Sequence, residues 1–371
     1  MSKAAELANL IGNINAGGGG VNRNVIINGA MNCSQRSTSV TGLGANTSAS
    51  TRYQTIDRFG IDVEGTTAGR YTMTQDSSAP SGFANSLKLA CTTADTSIGA
   101  AELVTLSQIV EGQNVQSFAK GTSDAKPFAV SFYVKGNASA TYVCELFDGD
   151  NTRHVASTFS VTTDWARVSI SFPADTTGAF DDDNAASLYL QIFLHAGSNF
   201  SSGTLPATWA SKTNANRAAG GGSFFDSTSR TFFITGVQLE VGQNPTSFEH
   251  KSFAQDLHEC GRYYQLIASG TNKAIATGPE YNSSTAQLST DYPLGAMRDA
   301  PSIDQVNGGD YYLWHGGGVS SGIDGAFTIE HATTVRASFY ATPDATVSSD
   351  GQARYLKTNN SAAYFAFKSE L

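Results

Sequence analysis

Apolar and polar positions alternate most clearly between Thr231 and Val241, where Phe233, Thr235, Val237 and Leu239 interleave with Phe232, Ile234, Gly236, Gln238 and Glu240. The near-continuous apolar opening, with its β-branched residues, predicts a strand covered on both faces. Gly242, Asn244 and Pro245 then end the strand in a turn, because glycine frees φ and proline removes a ladder donor. From Phe253 the period changes. Phe253, Leu257, Cys260 and Tyr264 fall on one stripe of a short helix, so residues 251–265 are expected to link two β regions.

Upstream, strands are predicted at Val25–Ile27, at SLKLACTT around Cys91, and at 127–136, 140–149, 166–174 and 187–197, with no helical period between them. That order favours an antiparallel double sheet over a parallel α/β fold, and a jelly roll over residues 21–250 is the expectation. Downstream, residues 266–371 hold shorter and patchier strands, from YYQLIASG to AAYFAFKSEL, that predict a second, smaller β domain. At the other end, Ala4, Leu7, Ala8 and Ile11 share a helical stripe with Leu10 at its edge, and Gly17–Gly20 form a tether. So short a helix is marginal alone in water, so residues 1–20 are expected to dock, as an anchor or as one strand of a helix bundle. The alternative is a frayed terminus or one packed on its own core. The fold class is thus all-β: an antiparallel jelly-roll β-sandwich with a short N-terminal helix and a small C-terminal β domain.

Only 15% of the 371 residues are charged and the formal net charge is −9, which argues against a surface that tracks nucleic-acid phosphates. The opening MSKAAELANLIG has no long apolar core and no stretch is long enough to span a bilayer, so synthesis in a cytoplasm without membrane insertion is expected. Cys33, Cys91, Cys144 and Cys260 are widely spaced, with no CxxC pair, and read as packed free thiols. The histidines His154, His195, His250, His258, His315 and His331 show no metalloenzyme spacing, and neither a GxSxG elbow nor a phosphate-binding loop is present.

Sugar binding is the chemistry the remaining pattern points to, because pyranose rings offer CH faces to aromatic rings while their hydroxyls seek amides and carboxylates. Candidate platforms are Tyr142 and Phe147 beside Glu145 and Asp148, Trp209 in the long polar loop 199–223, and Tyr311, Tyr312 and Trp314 beside His315. Against this, aromatics placed at a period of two dominate cores, and Trp209 could pack on a neighbouring copy. Loops of such length inside a compact domain tend to be functional or ordered by a partner. Asp148 and Asp150 read as a hairpin turn, whereas Asp181, Asp182 and Asp183 could ligate calcium or form a solvated loop. Calcium is the one cofactor considered. No acid lies in surroundings that would fit it for glycoside hydrolysis, so no enzyme is expected.

Two stretches resemble a known family. ITGVQLEVG followed by a Pro and Ser turn, FEH and a helix ending CxRYY is similar to the close of the jelly-roll module in tailed-phage fibre proteins. NRNVIINGAMNCSQRS followed by YQTIDRFG resembles the opening of that module, AMRDAPS resembles a turn of fibre tips, and SAAYFAFKSEL resembles the closing strand of the small β domain that often follows. The resemblance implies a virion surface protein: a tail fibre adhering to a host glycan or receptor, trimeric, and held to other virion proteins through residues 1–20. A structural component such as a head fibre, decoration or adaptor protein is the alternative, and a glycan depolymerase a second one.

Overall fold

The structure, a computed structural model, describes residues 2–15, 22–45, 52–65, 68–282, 285–316, 319–323, 327–344 and 352–371. The chain divides into two compact units, Met1–Asp256 and Leu257–Leu371. Both are antiparallel β structures.

In the first unit, six strands form one sheet: β1 (Ser39–Leu43), β3 (Arg70–Asp76), β4 (Ser86–Thr93), β12 (Thr231–Val241), β6 (Phe128–Gly136) and β9 (Ala166–Phe172), in that order. The facing sheet runs β11 (Ala210–Ser211), β8 (Arg153–Val161), β7 (Ala140–Asp148), β10 (Ala186–Ala196), β5 (Leu103–Glu111) and β2 (Gly60–Glu64). This is the jelly-roll sandwich that the alternation predicted. Its core lies between the sheets, where Phe132, Ile234, Leu239, Tyr142, Leu190 and Leu106 are buried together.

The strand at 231–241 is central and covered on both faces, but its alternation changes phase midway. Phe232 and Ile234 enter the core from even positions, Val237, Leu239 and Val241 from odd ones. The cause is a bulge: Thr235 pairs with Tyr133 and Gln238 with Ser131, so one extra residue is inserted. Gly236 sits in it at φ 62°, where a Cβ would lie 2.7 Å from the Phe83 ring. Its outward face carries Gln238 and Glu240, sealed by residues from both family-like stretches. Glu240 accepts hydrogen bonds from Thr246 and pairs with Arg23, while Glu249 accepts from the backbone N–H groups of Asn22 and Asn24. Asn24 reaches back, its side-chain oxygen accepting from the Leu239 N–H. The stretches that open and close the module are therefore a clasp.

Val25–Ile27 is not a strand. The Gln108 side-chain amide, rather than a neighbouring strand, accepts from the Ile27 N–H and donates to its C=O, at 2.7 and 2.9 Å. Strands β1, β2, β3, β5, β8 and β11 of this unit were not anticipated. In β5 every residue is buried, polar Thr105, Ser107, Gln108 and Glu111 included, so burial on both faces erased the alternation.

Helix α1 spans Lys3–Asn15, with Leu7 58% and Ile11 50% exposed and Leu10 half-buried. The glycine tether at 17–20 lies outside the described residues. A four-residue helix, α2 (Ser198–Ser201), follows β10, and α3 (Phe253–Gly261) contains the boundary between the units. The expected stripe on α3 is only partly a packed face: Cys260 is fully buried, Phe253 is 58% exposed, and Tyr264 already belongs to the next strand. All four cysteines are free and buried. Among the described residues no helix is long and apolar enough to cross a membrane.

The second unit has a three-stranded sheet, β13 (Tyr264–Ser269), β22 (Tyr364–Lys368) and β16 (Ser302–Gln305). Its larger sheet runs β18 (Val319–Ile323), β17 (Tyr312–Gly316), β21 (Ala353–Thr358), β14 (Ala274–Asn282), β15 (Thr285–Asp291), β20 (Arg336–Ala341) and β19 (Thr328–Ala332). Phe327, Phe339, Phe365 and Phe367 pack edge-on at the centre of its core.

Candidate functional site

The sheet formed by β11, β8, β7, β10, β5 and β2 turns one face to the core and one outward. Register places Gly60, Ser107, Gln191 and Glu145 side by side in one row, and Tyr189 beside Phe147 in the next. These residues face outward because their strand neighbours Leu106, Leu190, Ile192, Cys144 and Leu146 fill the core.

Half of this outer face is closed by the loop after β10. Its Phe200 and Ala218 pack with Leu103, Val143, Ala156 and Phe193 in a satellite apolar cluster, and β11 pairs with β8. Arg217 completes the closure. It holds Glu145 with both Nε and Nη2, the latter at 2.6 Å, and donates to Gln191 at 2.6 Å. Its guanidinium also lies over the Phe193 and Phe147 rings, at 5.1 and 5.5 Å from their centroids. His154 meets the same carboxylate at 2.7 Å.

The other half stays open. Phe147 and Tyr189 are both half-buried, with ring centroids 5.4 Å apart, and the Lys212 ammonium sits 4.7 Å from the Phe147 centroid. Next to them Arg52 pairs with Asp62 at 3.1 Å, and the Ser107 hydroxyl accepts from Arg52 and donates to Asp62. Gly60 permits this arrangement, since a Cβ there would lie 2.6 Å from Arg52 Nε. Burial raises the Asp62 carboxyl above its ordinary value, against the pull of Arg52. Burial also raises the Tyr189 hydroxyl; Arg52 opposes that rise, while Asp62 and Asp150 add to it. The open patch thus combines aromatic faces with charges of both signs, beside a buried row in which Arg217 holds the Gln191 amide and Arg52 and Asp62 hold the Ser107 hydroxyl.

Most of the residues singled out from sequence are elsewhere or covered. Tyr142 is a core residue, edge-on to Phe232, and Glu145, although it faces outward, is fully buried under Arg217. Trp209 is buried too. Its Nε1 donates to the Pro173 carbonyl and its ring stands 5.3 Å from the buried Lys120 ammonium. Lys120 is held by Asp148 at 2.5 Å, Asp175 at 3.2 Å and the carbonyls of Thr177 and Gly178. Asp148 is thereby a buried counter-ion as well as a turn residue. The loop that carries Trp209 packs on its own chain through Phe200, Ala218, Arg217 and Trp209 itself.

In the second unit Trp314 and Tyr312 are core residues, Tyr312 donating its hydroxyl to the Tyr364 carbonyl at 2.6 Å, and Tyr311 is half-buried. Tyr312 and Trp314 share the inward phase of β17, and Tyr311, which precedes the strand, packs half-buried against the same core. Asp181, Asp182 and Asp183 are exposed and not convergent: the Asp181 N–H donates to Asp150 and Asp183 accepts from the Ala185 N–H. Among the described residues no group of three or more His, Cys, Asp or Glu is gathered to hold a metal ion.

Phe147 was singled out from sequence; Tyr189, Arg52, Asp62, Gln191, Lys212 and Arg217 were not. The legible signal was Tyr189 itself, the one aromatic at an outward position of the strand SLYLQIFLHA that lacks a covering loop.

No protein-family model matches the chain, and no curated protein matches it. Solved structures do resemble it, and they are carbohydrate-binding modules for the most part. A family 11 carbohydrate-binding module of a cellulosomal cellulase of Clostridium thermocellum is 12% identical, covering 54% of this chain and 95% of its own, with a TM-score of 0.28. A putative sugar-binding protein of Bacteroides thetaiotaomicron is 10% identical over 59% of this chain and 99% of its own, with a TM-score of 0.30. A family 30 carbohydrate-binding module is 14% identical over 60% and 93%, with a TM-score of 0.27. Similarity at this level concerns the fold alone, and the site stands on its own residues.

Proposed function

We propose that this chain is a non-enzymatic adhesion protein of a tailed-phage particle, a tail fibre that binds a host surface glycan on the open half of the sandwich's outer face. The observation that carries the binding reading is the half-buried Phe147–Tyr189 pair, standing between Lys212 and the Arg52–Asp62 ion pair. A pyranose CH face stacks on such rings, and Lys212 meets an acidic group where the sugar has one. Asp62 is engaged with Arg52 and Ser107, which sets hydrolysis below adhesion. The phage setting is supported by the two family-like stretches, whose residues form the clasp across β12.

The exposed Leu7 and Ile11 support assembly as a homotrimer through α1 and attachment of residues 1–20 to other virion proteins. Linking weak sites in one assembly raises avidity by about 10²–10⁴ without new contacts. The same exposed stripe favours a second reading, a structural component of the particle without its own receptor.

Titrating the full chain with polysaccharides from host surfaces separates the two. Saturable binding that Tyr189→Ala abolishes supports adhesion; a chain that enters particles through residues 1–20 and binds no glycan supports the structural reading. Release of reducing ends, lost in Asp62→Asn, would overturn both in favour of a depolymerase.

A further inference from the structure

The seven-stranded sheet of the second unit carries an aromatic groove whose chemistry differs from that of the sandwich face. Ala286, Leu288, Phe339 and Ala341 point into the core, so Thr285, Gln287, Tyr340 and Thr342 stand on the opposite side of β15 and β20. Gln287 lies directly across from Tyr340. Tyr281 of β14 and Glu330 of β19 complete the lining of a groove of about 400 Å³, within the range of small-ligand sites.

Tyr281 is 67% exposed and Tyr340 is 40% exposed. The core rings of this unit, Tyr292, Tyr312, Phe327, Phe339, Phe365 and Phe367, all pack on one another. Two exposed tyrosines on one groove are informative, since large aromatic surface is mostly buried, and the third exposed tyrosine of this unit, Tyr355, is edge-on to His315. Between them Gln287 donates its side-chain N–H to Glu330 at 2.6 Å, which orients both groups and leaves a carboxylate oxygen and an amide oxygen as acceptors. Among the described residues, Glu330 is the only charged one in the lining.

We propose that this groove is a second binding site, for a neutral sugar: a pyranose ring stacks on Tyr281 or Tyr340 and donates its hydroxyls to Glu330 and Gln287. The lone carboxylate accepts hydroxyl donors and repels uronic or sialic acids. The sandwich face, by contrast, has Lys212 to meet an acidic group. The groove's residues are independent of that face, so either site can fail without the other.

The test uses the full chain and ligand-observed NMR with neutral β-1,4-linked glucose, galactose and mannose tetramers, and with a uronate tetramer, at up to ~10 mM, above the millimolar dissociation constants of weak single sites. At least one neutral tetramer is expected to bind, more than about tenfold more weakly in Tyr281→Ala and in Tyr340→Ala. Glu330→Gln is expected to weaken the neutral ligand and lessen the discrimination against uronate. These side chains are exposed, and circular dichroism checks that the variants fold. Tyr189→Ala assigns the ligand: binding kept there and lost in Tyr281→Ala belongs to the groove. Failure of all neutral tetramers to bind, or binding indifferent to both tyrosines, overturns the proposal. So does a fall in sedimenting mass in Tyr281→Ala, which would make the groove a contact between copies of the chain.

Discussion

Arg217 holds Glu145 through two guanidinium nitrogens, with the carboxylate fully buried and the arginine side chain 11% exposed. The pair joins the long loop after β10 to the centre of the outer sheet face. Losing one partner of a buried pair leaves an uncompensated charge, so Arg217→Ala is expected to cost about 3–5 kcal/mol. Chemical denaturation measures the loss, and faster hydrogen exchange across residues 197–223 is expected with it.

Lys120 does the same work at the other end of that loop, under Trp209. Lys120→Met leaves Asp148 and Asp175 facing each other's charge with an apolar neighbour, at a cost of about 3–5 kcal/mol. Trp209 fluorescence reports it directly, since the ammonium 5.3 Å from its ring is removed. A variant as stable as the parent chain would refute the buried ion cluster.

The same cluster has an acid limb. Burial alone would raise the Asp175 carboxyl, but hydrogen bonds from Arg153 and the Thr177 N–H, with the Lys120 charge, hold it below its ordinary 3.8. A lowered folded-state value means stability that is present above the unfolded value and lost as pH falls through the folded one. As pH falls below about 4 the parent chain should therefore lose stability more steeply than Asp175→Asn, as followed by denaturation at each pH.

The proposed glycan binding gives the clearest separation of function from fold. The Phe147–Tyr189 pair contributes about 0.5–1.5 kcal/mol beyond its buried area, so Tyr189→Ala should remain folded while losing the sandwich-face ligand at least about tenfold. Glu145→Gln should instead destabilise the loop, because it breaks the Arg217 pair beneath the surface.

The proposed assembly rests on α1. Leu7→Ser combined with Ile11→Ser removes the exposed apolar stripe without touching the sandwich core. Sedimentation is expected to show a smaller species with unchanged β signal; an unaltered mass would place the contact between copies elsewhere.

The sequence alone determined the β class, the central strand at 231–241, the long uninterrupted outer strands, the free cysteines and the short N-terminal helix, since each depends on local period and composition. It did not disclose β5, whose two buried faces carry no alternation, or the phase change at Gly236, where one inserted residue flips the strand. Nor could it rank the aromatics. Tyr142, Trp209, Tyr312 and Trp314 look like Phe147 and Tyr189 as residue types, and only the closing of the loop by Arg217, the placing of Lys120 beside Trp209 and the register of β7 against β10 decided which rings stay open. Exposure of a side chain is a property of everything folded against it, and those partners lie dozens of residues away in the chain.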